Sequence, residues 1–207
     1  MFALVAVLSL SGCETTYYSA MEKVGIHKRD ILVDRIDEAR DAQQQGQQQF
    51  KDALEEFRAV TEYQGGDLAE LYDRLNAEYK DSMSAAENIS DRIESVENVA
   101  EALFDEWESE LDQYSSANLR RDSAQKLKDT KSRYKTLMST MRRAERSIDP
   151  VMNTLRDNVL YLKHNLNARA VNALKSELRS VDHNVQALVA AMSRAIEESD
   201  RFIETLR

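Results

Sequence analysis

Few side chains in this sequence have the type and spacing to act on a substrate. There is one thiol, Cys13, and there are three imidazoles, His27, His164 and His183. A lone cysteine forms no intramolecular disulfide and no Cys-x-x-Cys metal or redox pair. A di-iron site in a helical bundle needs Glu-x-x-His on two helices with further Glu residues facing inward, and no Glu-x-x-His occurs here. The sequence also lacks a Gly-rich phosphate loop, a nucleophile elbow and a His-Glu-x-x-His motif. Glu106, Glu108 and Glu110 lie close together along one strongly acidic segment. Carboxylates so placed are solvated, and no catalytic role is assigned to them. The expectation is a non-enzymatic protein with no metal and no cofactor.

Two places have the residues to hold a ligand or a partner. Leu103-Phe104-Asp105-Glu106-Trp107 sets two aromatics within one helical turn. A pocket around Trp107 would suit a small ligand, because helical bundles host cofactors in their cores. Trp107 also continues an apolar repeat, so core packing is its first reading. The run from Arg156 to Ala168 is the densest mixture of Asn, His, Lys and Tyr in the chain. A binding tip at Lys163, His164 and Asn165 is one reading of it. Asn165 as a helix C-cap and Asn167 as the next N-cap is the other.

Cys13 carries a different chemistry. It ends Leu10-Ser11-Gly12-Cys13, directly after the apolar run Phe2 to Leu10. Such a run is too short to span a bilayer as a helix and has the size of a signal-peptide core followed by small residues. The four residues resemble the lipobox of bacterial lipoproteins. That resemblance implies a diacylglycerol on the Cys13 sulfur, cleavage before Cys13 and acylation of the new amine. Each buried methylene contributes about 0.8 kcal/mol, so several acyl chains on one residue hold firmly. No Lys or Arg precedes the apolar run, so the true start is expected upstream, with Met1 internal. Glu14, rather than Asp, follows the cysteine. By the sorting rule of Gram-negative lipoproteins this implies the outer membrane, with the body facing the periplasm.

The body must then position whatever else the protein does. Of 207 residues one is proline and five are glycine, a scarcity of breakers that argues for long helices. The net charge of −9 argues against nucleic acid as a partner. After the polar residues 14–20, apolar residues recur at alternating spacings of three and four, the seam of helices packed along their length. The first seam is Ile36, Ala39, Gln43, Gly46, Phe50, Ala53, Phe57 and Val60. Glutamines flank Gly46 on both sides. They read as a solvated stretch with a close helix crossing at the glycine, or as a polar interaction surface. The turn Gly65-Gly66 and the capping box Asp67–Glu70 open the second seam, which runs unbroken from Leu68 to Trp107. The third seam runs from Ala124 to Leu162 and keeps its phase across Pro150. It predicts one kinked helix, with Asp149 and Pro150 as N-cap and first residue of a new helix as the alternative. The fourth runs from Val171 to Leu206. Turns are expected near Ser115–Asn118 and His164–Asn167.

Four helices of roughly 40 to 48 residues would each be about 60 to 70 Å long. Short connections make neighbours antiparallel. The expected fold is all-α: a long antiparallel four-helix bundle or coiled coil, up-down-up-down. Its divisions are a signal peptide at 1–12, a lipidated tether at 13–20 and one helical domain at 21–207. Segment 67–114 holds 15 acidic and 3 basic residues, net −12, and segment 119–164 holds 12 basic and 5 acidic, net +7. These opposite flanks favour pairing of the second and third helices. The basic stretch Arg120 to Arg146 is therefore read as matched to its acidic neighbour rather than as a surface for nucleic acid or anionic lipid.

Met21-Glu22-Lys23-Val24-Gly25 with Lys28-Arg29-Asp30-Ile31-Leu32, Leu103 to Trp107, and Leu160 to Ala168 resemble an uncharacterised Gram-negative lipoprotein family carrying domain-of-unknown-function 2959. The resemblance covers essentially the whole mature chain. It implies the address and the helical fold and brings no activity. The functional expectation is a lipid-anchored periplasmic scaffold, spacer or adaptor of the cell envelope, with an envelope protein as partner and self-association open. The alternative is a helical-bundle binding module for a small hydrophobic or anionic envelope ligand.

Overall fold

Among the described residues, the apolar stripes of the sequence become the inner faces of five α-helices that form four arms. The computed structural model describes Gly25, residues 27–65 and residues 67–206. Helix α1 spans Lys28–Thr61, α2 Leu68–Glu110, α3 Ala117–Arg146, α4 Ile148–His164 and α5 Ala168–Leu206, with a 3-10 turn at Leu111–Gln113. Among the described residues there is no strand. The signal segment and tether expected at 1–12 and 13–20 lie outside the described residues, as does Cys13.

All eight residues of the first seam are buried in α1. The seam of α5 is buried too, apart from half-buried Leu178. In α2 the seam positions are buried or half-buried throughout. Phe50, Phe57 and Phe202 are fully buried, and each such side chain contributes about 1.5–3 kcal/mol by leaving water. The first arm is shorter than expected, 34 residues, because it opens at Lys28 with His27 as its N-cap.

Side-chain pairs between arms fix their direction. Down α1 from Glu56 to Gln49, Glu38 and Lys28, the partners climb α2 through Arg74, Glu78, Arg92 and Glu106. Down α1 from Arg58 to Gln47 and Arg40, they climb α5 through Asp182, Ser193 and Asp200. Along α3 from Lys131 to Arg142 and Glu145, they descend α2 through Glu108, Glu97 and Ser90. Adjacent arms therefore run in opposite directions. Helix α1 packs on α2 and α5, and the α3–α4 arm packs on the same two. The bundle thus has four corners, with α1 diagonal to α3–α4.

Asp67 caps α2 as expected, its carboxylate accepting from the backbone N–H of Ala69 at 2.8 Å and Glu70 at 3.4 Å. The second half of the capping box is not made: the Glu70 side chain accepts from Arg74 instead. Gly65 holds φ +135° in the turn before it, a conformation that side chains with a Cβ rarely adopt.

The third arm departs from the expectation of one kinked helix. It is two helices parted at Ser147, whose φ of −77° and ψ of −9° keep the chain close to a helical path. The alternative cap at Asp149 is not used either; Ser147 takes that place and Pro150 is the third residue of α4. The ring of Pro150 has no N–H for the carbonyl of Arg146 and crowds it, which opens the ladder at this point. The apolar phase survives the break: Met141, Ala144, Ile148, Val151 and Leu155 are all buried.

Gly46 marks a close crossing. A Cβ there would meet Ile89 Cδ1 at 2.6 Å and Met192 Cε at 3.7 Å, so α2 and α5 both press on α1. The glutamines beside it are not simply solvated. Gln47 donates to Ser193 Oγ and to the Val189 carbonyl, and Gln49 donates to Glu78. Gln43 is fully buried, and neither its amide nitrogen nor its amide oxygen has a hydrogen-bond partner.

Candidate functional site

The residues singled out for binding fall at opposite ends of the bundle. Trp107 stands near the end of α2, beside the start of α1, Lys126 to Arg133 in the middle of α3 and the end of α5. Lys163, His164 and Asn165 stand at the turn between α4 and α5, the same end as the turn between α1 and α2. They form no common site with Trp107.

At the Trp107 end the chain builds a cleft of about 750 Å³. Its apolar wall is Leu103, Trp107 and Leu206. Around that wall lie the cations Arg29, Lys126 and Arg133 and the carboxylates Glu106, Glu110 and Asp129, with His27 at the edge. Trp107 is both wall and anchor. It is half-buried, and its indole Nε1 donates to Ser123 Oγ at 2.8 Å. Tyr114 Oη lies 3.5 Å from the same oxygen. These bonds pin the end of α2 to α3, so the indole face is held still.

Further into the bundle, behind the cleft wall, three aromatics pack together. Phe104 and Tyr134 meet edge to face with ring centroids 5.3 Å apart, and Tyr134 lies 6.1 Å from Phe202. Lys131 Nζ sits 5.5 Å from the centre of the Phe104 ring and also bonds Glu108 at 2.6 Å. Burial pushes the Tyr134 phenol well above its ordinary range; Glu97 adds to the shift and Arg142 opposes it. Arg142 itself is held in its charged form chiefly by its bonds to Glu97, with Glu145 contributing. This group carries the charge match between the second and third segments that the sequence predicts.

Several cleft charges are already engaged. Glu106 accepts from Lys28 at 2.8 Å, and the Lys28 side chain is only 10% exposed. Lys126 is held by Asp122 at 2.9 Å, which raises its pKa. Asp129 accepts from Gln125 at 2.9 Å. Among the described residues no ion pair engages Arg133 or Glu110.

The far end is built by capping. Asn165 is the C-cap of α4 and donates from Nδ2 to the Tyr161 carbonyl at 2.9 Å. Asn167 accepts from the N–H of Arg169 at 3.0 Å and of Ala170 at 3.2 Å, capping α5. Lys163 and His164 are exposed. The residues that stand out here are ones the sequence reading passed over: Leu160, Tyr161 and Leu166, 49%, 41% and 46% exposed. Their signal in the sequence is that Leu160 and Tyr161 are large apolar residues off the seam of α4 and Leu166 is one in the turn that follows it.

Among the described residues, no three His, Cys, Asp or Glu side chains gather as a metal site, and no helix is long and apolar enough to cross a membrane. A family model described as a protein of unknown function (DUF2959) matches residues 17–206. No curated protein matches the chain.

Proposed function

The chain belongs to the DUF2959 family, and we propose that it is a non-enzymatic, lipid-anchored scaffold, spacer or adaptor of the cell envelope. Its anchor is the lipid on Cys13, and its site of residence is the periplasmic face of the outer membrane. The observation that supports the reading is the separation of ends. The N-terminus enters the bundle at the Trp107 end, where α1 begins. Of the exposed large apolar residues, Leu160, Tyr161 and Leu166 lie together in sequence at the other end, roughly the 65 Å of a 43-residue helix away, while Tyr114 and Leu119 flank the turn at the near end. A rod held at one end and apolar at its free tip has the shape of a spacer that presents a contact. Singly exposed apolar residues are ordinary; three within seven residues at a bundle tip form a patch of the kind that marks a protein contact.

The test is in-cell crosslinking of the lipidated protein, then affinity purification and mass spectrometry. One envelope protein recovered in near-equal amount is expected from the native chain. At least tenfold less is expected after Leu160→Ser, Tyr161→Ser and Leu166→Ser together. These residues are exposed, so the melting temperature should hold within a few degrees. Recovery of no partner, or recovery indifferent to the triple change, would overturn the adaptor reading.

A further inference from the structure

We propose that the cleft at the Trp107 end binds an amphiphile with one apolar chain and a zwitterionic headgroup carrying both an ammonium and a phosphate. This inference is independent of the adaptor reading, which places the partner contact at the opposite tip. The cleft volume of about 750 Å³ lies within the ordinary range for small-molecule sites. Its wall of Leu103, Trp107 and Leu206 offers apolar surface to a chain. A second hollow of about 380 Å³ shares Arg29 and Leu206 with it and continues past Val33. The two hollows adjoin at these shared residues, and Asp30 and Asp34 line the second along with Val33.

Charge selects the headgroup. Three cations and three carboxylates line the cleft, so an anion or a cation alone meets as much repulsion as attraction. The groups not taken up in ion pairs among the described residues are the cation Arg133 and the carboxylates Glu110 and Asp129, the last accepting only from the neutral Gln125 amide, so charge of both signs stands open to a headgroup. A guanidinium suits a phosphate through paired N–H donors, and a carboxylate suits an ammonium. The Trp107 indole, fixed by Ser123, lines the apolar wall that the chain would cover. The N-terminus enters the bundle at this same end, so a chain anchored at Cys13 would turn the cleft toward lipid.

Trp107 is the only tryptophan in the sequence, so its fluorescence reports the cleft without a label. The experiment titrates the full chain with monomeric lysophosphatidylethanolamine, and separately with lysophosphatidylglycerol and dodecanoate. The expected result is a saturable blue shift with the zwitterion, with the two anions binding at least tenfold more weakly. Arg133→Gln and Glu110→Gln should each weaken the zwitterion about tenfold, about 1.4 kcal/mol, with unchanged melting because both residues are exposed. Absence of a saturable shift with the zwitterion would overturn the proposal. So would equal or tighter binding of either anion, or titration curves unchanged in both variants.

Discussion

At the scale of single residues, three side chains carry consequences that can be measured. Gln43 is fully buried with both amide atoms unpartnered. Each buried polar group without a partner costs about 1–3 kcal/mol, so Gln43→Leu should raise the urea midpoint; a lower midpoint would show that the amide is satisfied. Gly46 presses against Ile89 Cδ1. Gly46→Ala gains about 1 kcal/mol of helix propensity but overpacks the crossing by about 1–3 kcal/mol, for a net loss of roughly 1. In an Ile89→Val background the clashing methyl is gone, and the same change should become neutral or stabilising. Equal effects in both backgrounds would contradict the close crossing. Tyr134 gives a pH signature. Its folded pKa is raised by burial, so its contribution is complete below the ordinary phenol value of about 10. Above that pH the unfolded phenol ionises first, and stability falls as pH rises. Tyr134→Phe should flatten part of the alkaline loss seen by chemical denaturation between pH 9 and 11, with little change at pH 7.

At the scale of elements, the pairing of α2 with α3 rests on apolar packing and is tuned by charge. Arg142 bonds Glu97 and Glu145, all three partly exposed. Partly exposed pairs contribute about 0–1 kcal/mol, so Arg142→Gln should lower stability by no more than about 1 kcal/mol. Arg142→Glu should cost more, and adding Glu97→Arg should recover most of that loss at low salt. A double variant no better than Arg142→Glu would mean the pair has no part in register. The seams were legible because a period of three and four survives any tertiary context: Ile36 to Val60 and Leu68 to Trp107 turn inward as their spacing requires. The caps at Asp67, Asn165 and Asn167 were legible for the same local reason. The break at Ser147 was not, because the apolar phase runs through it unchanged and the steric effect of Pro150 acts on a carbonyl four residues back. Trp107 marked one wall of the cleft in the sequence, but the rest of its lining was not legible, since His27, Arg29, Lys126, Arg133 and Leu206 come from three separate parts of the chain and share no spacing. Only the register of the bundle brings them together.

At the scale of the whole molecule, the bundle has different chemistry at its two ends. The end where α1 begins bears the cleft; the far end bears capped turns with Leu160, Tyr161 and Leu166 exposed. The proposed anchor at Cys13 is what gives the two ends their meaning. The most direct test is mass spectrometry of the N-terminal peptide of the protein purified with detergent from its own cells. The expected result is a mature chain that begins at Cys13 and carries a diacylglyceryl thioether and an acylated amine. An unacylated Cys13, or a chain that still contains residues 1–12, would contradict it.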